Sequence, residues 1–244
     1  MNWPAATTEE LDSLRIDFSR WLRETGPSQG WRVHGQLRYE DYVNTYLSGD
    51  TGLFFDTSVV ALTFGIEYRD ITDLLYSRTG REFGYEVESA SDAYGSESSY
   101  VRHSARYRGY HHVTDREHTN FNYRVRYGTS SGTIFGDPSY GLGGNSTLRG
   151  FERDALEGRA TSSPTSSSSP RCSGHNTFRG AVFADIGGAF EDSASFDASE
   201  LEVGVGLGIR YKLRAFVRTD LRLDVGYGID GGETKVYGST ETSF

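Results

Sequence analysis

The sequence predicts an all-β protein, an antiparallel transmembrane β-barrel. Three observations carry the prediction. Apolar and polar residues alternate with period two over runs of seven to ten residues and more. The polar face of those runs is made of Arg, Asp, Glu and Gly rather than Lys. The breaks between runs alternate between short and long.

Composition agrees with many strands joined by turns. Aromatic residues make up 14% of the 244, mostly Tyr and Phe, and 30 glycines stand against 5 prolines. No apolar run reaches the roughly 18 residues of a transmembrane helix, but a barrel strand needs only every second residue to face lipid, so a hydrophobic share of 36% is compatible with one. The net charge of −9, with no basic face, argues against a nucleic-acid partner. Lys212 and Lys235 are the only lysines among 25 basic residues, a hint of a GC-rich gene. One cysteine, Cys172, excludes an internal disulfide framework and a cysteine-based zinc site. Met1 to Glu10 is polar and does not read as a signal peptide, so the front of the gene product is expected to lie outside this sequence.

In chain order, the first strand, near Leu11–Leu22, has a weak pattern. Trp31, Val33, Leu37 and Tyr39 then alternate with Arg32, His34, Gln36 and Arg38. Val60, Leu62, Phe64, Ile66 and Tyr68 alternate with Ala61, Thr63, Gly65, Glu67 and Arg69. Weaker strands follow at Arg81–Ser91 and Ser99–His111, and a clear one at Asn120–Tyr127. After a long Gly-rich break come Asn176–Phe190 and the two cleanest runs. In the first, Leu201 to Leu213 is apolar at odd positions, against Glu202, Gly204, Gly206, Gly208, Arg210 and Lys212. After a short break at Arg214-Ala215, Val217 to Ile229 repeats the pattern against Arg218, Asp220, Arg222 and Asp224. Glu233–Phe244 closes a set of about ten strands. A soluble sandwich also alternates, but its wet face is usually mixed and Lys-rich. Alternating Arg and Asp suits a narrow charged lumen.

The long break, residues 133–160, contains Gly143-Gly144-Asn145-Ser146-Thr147-Leu148-Arg149-Gly150-Phe151-Glu152. This resembles the loop signature of the BamA/TamA superfamily of outer-membrane assembly and secretion factors (the bacterial surface antigen family). Phe183-Ala184-Asp185-Ile186-Gly187 is similar to the family's F-x-D-x-G strand. Lys212 to Tyr227 resembles its penultimate hairpin, and Phe244 the terminal aromatic of its assembly signal. Asp73 to Gly80 is similar to a periplasmic turn, with Ser77 where a Pro is common. The resemblance covers about Ile66 to Phe244. It implies that the loop folds into the lumen, with Leu148, Arg149, Gly150 and Phe151 as its motif and Asp185 pairing with Arg149 to pin it. The alternation agrees, since Arg179, Ala181, Phe183, Asp185 and Gly187 share a face. A buried Arg needs such a partner.

Two departures from the family follow. The resemblance places this chain as a single barrel domain over 1–244, an incomplete part of a sixteen-stranded barrel of about 10–11 strands that starts near the sixth, without the family's periplasmic POTRA domains. The strand expected directly after the loop is replaced by an anomalous Ser/Pro-rich segment, 161–175, which reads as a linker across the barrel wall. With GC-rich codons, residues 162–168 read one base earlier can encode leucine, leucine, alanine, asparagine, leucine, glutamate and leucine. That is an alternating strand, and it suggests a local frameshift.

Other patterns carry less. His103, His111, His112 and His118 are near in sequence, but His111 and His112 point to opposite faces of a strand, so no metal site is expected. Gly204, Gly206 and Gly208 fall on one strand face with no helix after them, and read as small lumenal residues rather than a nucleotide loop. Asp220 and Asp224 share a face with Arg218 and Arg222, a charge-balanced wall rather than catalytic carboxylates. No enzyme activity and no cofactor are expected. The resemblance implies an integral outer-membrane protein that inserts and assembles other outer-membrane proteins. Its partners would be outer-membrane lipids, unfolded β-barrel clients and accessory assembly proteins. The alternatives are a two-partner secretion pore of the same superfamily, a porin-like structural barrel without insertase activity, and a soluble β-domain.

Overall fold

A computed structural model describes residues 6–26, 28–48, 51–73, 78–112, 120–133, 140–169, 178–213, 219–229 and 231–242. Among these residues thirteen strands run in order: β1 (Ala6–Gly26), β2 (Gln29–Ser48), β3 (Thr51–Asp73), β4 (Arg78–Ala90), β5 (Ser99–His112), β6 (Asn120–Thr133), β7 (Tyr140–Leu142), β8 (Leu156–Gly158), β9 (Ala160–Ser169), β10 (Phe178–Phe190), β11 (Glu202–Leu213), β12 (Thr219–Gly228) and β13 (Thr234–Thr242). Eleven of them form one antiparallel sheet in chain order, with β9 beside β6. The short pair β7–β8 stands apart, inside the 134–159 connection. The sheet is not closed, and β1 and β13 are its edges. Among the described residues no helix is long and apolar enough to cross a membrane.

The alternation fixes the register. Val205 lies opposite Tyr227, Leu207 opposite Val225, Ile209 opposite Leu223 and Tyr211 opposite Leu221, so one slip would turn every apolar side chain inward. The same face continues through Leu37, Leu62, Phe64 and Tyr85 on β2–β4. It is uncovered: Phe64 is 61% exposed, Leu207 65% and Val236 66%. A contiguous apolar face of this extent is stable only against lipid. Aromatic pairs stand near the ends of the strands, Trp31 with Tyr68 at 5.0 Å, Tyr107 with Tyr123 at 5.6 Å and Phe178 with Tyr211 at 6.4 Å. Rings that are half apolar and half polar favour the membrane interface.

The opposite, inner face is charged, and on β2–β5 it is largely paired. Glu67 takes Arg32 at 2.7 Å and Arg106 at 3.0 Å, and Glu82 takes Arg108 at 2.9 Å. Arg38 reaches Glu88 at 2.9 Å, whose carboxylate also accepts from Tyr100 Oη at 2.7 Å. That group sits on the small buried cluster Val59, Ala61, Ala90 and Tyr100.

Two features differ from the sequence reading. β1, β2 and β3 span 21, 20 and 23 residues, about twice the 9–11 a bilayer crossing needs. Residues 51–60 extend beyond the end of β4, on the side of the long loop, and Glu97 braces them by pairing its N–H and carboxylate with Ser58. This projection was not foreseen, because residues 40–58 mix Asp, Asn, Tyr, Val and Thr without one apolar face.

The second difference is a correction. The Ser/Pro-rich stretch is not a linker over 160–169: it is β9, laddered to β6 on one side and β10 on the other. Two flanking strands offer it backbone partners that outweigh its composition; residues 170–177, Cys172 among them, lie outside the described residues. The fit is imperfect. The β9–β10 ladder runs from Phe190↔Ala160 to Gly188↔Ser162 and resumes only at Asp185↔Thr165, skipping the rungs at Pro164 and Ser163. Proline has no N–H to give a central ladder. Register positions 162, 164, 166 and 168 stand opposite Tyr127, Val125, Tyr123 and Phe121 of β6. Pro164→Leu is therefore expected to stabilise the protein by about 1 kcal/mol, from a restored ladder bond. A raised denaturation midpoint in detergent micelles checks it.

Candidate functional site: a loop seated on the inner face

β7 and β8 pair Tyr140 with Gly158 and Leu142 with Leu156, making a hairpin whose tip carries residues 143–155. Thr147 Oγ1 holds the tip together, accepting from Gly143 N–H at 2.8 Å and donating to Gly143 C=O at 2.6 Å. Tyr140 Oη donates to the His103 carbonyl at 2.8 Å and ties the hairpin base to the wall. Arg124 of β6 donates to the Ser146 carbonyl.

The tip then crosses β10, β11 and β12 to reach β13. Arg149, 3% exposed, donates through Nε to Asp185 Oδ2 at 2.6 Å and through an Nη to Oδ1 at 2.8 Å, a two-pronged pair. Its backbone N–H also reaches Asp185 Oδ2, at 3.1 Å. The other Nη donates to Asp224 Oδ2 at 3.0 Å, and the guanidinium carbon lies 3.3 Å from the Phe183 ring centre. Asp224, fully buried on β12, also takes Arg210 at 2.5 Å and Arg222 at 2.5 Å. Three guanidiniums thus surround two carboxylates, and none can lose its partner cheaply where water is excluded.

The backbone is held as firmly. Gly150 donates its N–H to Tyr237 Oη at 3.0 Å and accepts from Glu233 N–H at 2.8 Å, while Tyr237 Oη donates to the Phe151 carbonyl at 3.2 Å. Gly150 has φ +96°, and a Cβ there would stand 2.3 Å from the Gly228 nitrogen. Only glycine fits both the conformation and the space. On β11, a Cβ at Gly204 would stand 2.0 Å from the Arg149 carbonyl oxygen, and one at Gly206 would stand 2.2 Å from the Phe183 ring. The glycine row on β11 is a trough cut for the loop. Leu148 is fully buried and Phe151 7% exposed.

The structure therefore brings Leu148, Arg149, Gly150, Phe151 and Asp185 together. Phe244 lies outside the described residues, as do Phe216 and Arg218. Sequence reasoning missed the roles of Asp224, Arg210 and Tyr237 at this seat. Asp224 had a signal, its place opposite Gly208 beside a row of glycines, whereas nothing local marks Tyr237.

An apolar belt outside, a charged wall inside and a long loop seated on that wall define an outer-membrane β-barrel with an inward-folded loop. Residues 26–238 match the Omp85 superfamily domain, and the chain belongs to that superfamily, whose members are transport and assembly factors; it is an integral outer-membrane protein. Solved structures share the fold. BamA from Haemophilus ducreyi lacking POTRA domains 1–3 superposes with a TM-score of 0.63 at 12% identity, over 95% of this chain and 62% of that one. CdiB from Acinetobacter baumannii gives 0.65 at 15% identity, over 98% and 42%. CdiB from Escherichia coli gives 0.67 at 15% identity, over 99% and 47%. This chain thus spans between two fifths and two thirds of the length of these relatives. A comparison with curated protein sequences gave no match.

Proposed function

We propose that the protein acts in inserting and assembling β-barrel proteins into the outer membrane, with unfolded barrel clients and accessory assembly proteins as partners. The observation that carries this reading is the seated loop. A passive pore has no need of a buried Arg149 stacked on Phe183 and shared between Asp185 and Asp224. A wall braced from inside can hold its shape while one edge stays weak. We take β13 as that edge: among the described residues it ladders with β12, and it places Thr234, Val236, Gly238 and Thr240 in register with the outer row. An edge strand offers unpaired N–H and C=O groups, and in lipid these require a partner strand. An incoming client strand gains its backbone bonds there by β-augmentation, with no covalent bond made or broken, so the work is templating rather than enzymatic catalysis.

The test uses proteoliposomes holding the full chain and a urea-denatured outer-membrane barrel as client. Folding of the client, read as its heat-modifiable gel shift, is expected to run several-fold faster than in empty liposomes, and Arg149→Ala is expected to remove most of that gain. Client folding at the empty-liposome rate, beside a barrel that itself migrates as folded, would refute the insertion reading. Passage of an unfolded partner across the vesicle wall instead would identify a secretion pore.

A further inference from the structure

β5 and β6 carry a ladder of like charges on the inner face. The register sets Arg106 directly opposite Arg126 and Arg108 directly opposite Arg124. Directly opposed like charges destabilise a sheet unless anions intervene. On the β4 side they do, since Arg106 reaches over Gly84 to Glu67 and Arg108 pairs with Glu82. On the other side the next strand is β9, whose positions 163 and 165 stand opposite Arg126 and Arg124, and β9 contains only Ala, Thr, Ser and Pro. No described carboxylate pairs with Arg124 or Arg126, and Arg124 Nε is buried without an acceptor.

Beside Arg126 lies a cavity of about 830 Å³ between the loop tip and the wall, lined among others by Arg126, Asn145, Ser146, Glu152, Asp154 and Lys235, and Arg124 donates to the Ser146 carbonyl at its edge. Lys235 is engaged by Glu152 and Glu233, each at 3.0 Å, and Arg153 by Asp154 at 3.4 Å, which among the described residues leaves Arg126 as the lining cation without a partner. Asn145 adds a buried side-chain oxygen with no donor. The site thus offers the Arg126 guanidinium and one orphan acceptor, with Arg124 on the next rung held through one nitrogen by the Ser146 carbonyl. Rungs two residues apart along a strand are separated by about 6.8 Å, the spacing of alternate side chains on any extended chain.

We propose that Arg124 and Arg126 form a subsite for an acidic, extended polypeptide segment in the lumen. Carboxylates at alternate residues bridge the rungs, and a backbone N–H donates to Asn145. This rests on the polypeptide-handling reading above and names the chemistry of the segment handled.

The test is fluorescence anisotropy of a labelled peptide of alternating Glu and Ser, titrated with the full chain refolded in detergent micelles. An alternating Gln and Ser peptide serves as control. The acidic peptide is expected to bind and the control not. Arg124→Gln with Arg126→Gln is expected to weaken binding on the order of tenfold or more, the loss of two charge-assisted hydrogen bonds. Thr165→Glu keeps both arginines but supplies a carboxylate opposite Arg124; it is expected to weaken binding similarly while raising the unfolding midpoint. Equal binding of both peptides, unchanged affinity in both variants, or displacement of the peptide by millimolar inorganic phosphate would each overturn the subsite. Client insertion in proteoliposomes is read separately, so a lost subsite and a failed insertion reading remain distinguishable.

Discussion

Asp224→Ala will cost the protein about 3–5 kcal/mol, the range for removing one partner from a buried ion cluster. Asp224 is fully buried and accepts from Arg149, Arg210 and Arg222. Its loss removes the carboxylate that Arg210 and Arg222 share and deprives Arg149 of its second acceptor. Asp185→Ala is expected to cost less: it removes the two-pronged pair, but Asp224 still neutralises the Arg149 guanidinium. The measurement is chemical denaturation of protein refolded in micelles. Glu191→Ala, on the exposed 191–201 connection, is the control and is expected to stay within about 0.5 kcal/mol of the parent. An Asp224→Ala protein as stable as that control would mean the cluster is solvated and contributes little.

Gly204→Val tests the seat without touching a charge. Its Cβ would lie 2.0 Å from the Arg149 carbonyl oxygen, a backbone atom that cannot swing aside. Either the loop lifts or β11 bends, and overpacking of this kind costs about 1–3 kcal/mol, occasionally more. Both routes pull the Arg149 guanidinium off its carboxylates. The losses from Gly204→Val and Asp224→Ala should therefore fail to add, because each releases the same loop. Full additivity would show that the glycine trough and the ion cluster act separately.

The membrane-spanning part of the fold was legible because lipid on one side and a charged lumen on the other impose strict alternation on residues such as Val203 to Tyr211. Where that two-sided constraint ends, so does the signal, as in the projecting parts of β2 and β3. β9 was illegible for a different reason. Its backbone partners come from Asn120–Thr129 and Val182–Phe190, and no local propensity of Ser and Pro reports them. The shifted frame can encode leucine, alanine, leucine and leucine at positions 162, 164, 166 and 168, which stand opposite the apolar row Tyr127, Val125, Tyr123 and Phe121 of β6. The nucleotide sequence through Thr161 to Ser169 decides whether that strand is the encoded one. At the site, Arg149 and Asp185 could be paired in advance only through the family resemblance, since 36 residues separate them. Tyr237 reaches the loop from 87 residues away by tertiary geometry alone.

The most direct test of the seated loop is limited trypsin digestion of the intact protein in membranes, with the fragments identified by N-terminal sequencing. Arg149 and Arg153 are four residues apart on the same loop, yet their side chains are 4% and 91% exposed. Cleavage after Arg153 without cleavage after Arg149 is the expected pattern, and a fragment beginning at Gly150 should emerge only in Gly204→Val or Asp224→Ala. Equal cleavage at the two arginines in the parent protein would contradict a loop held on the inner face by Asp185 and Asp224.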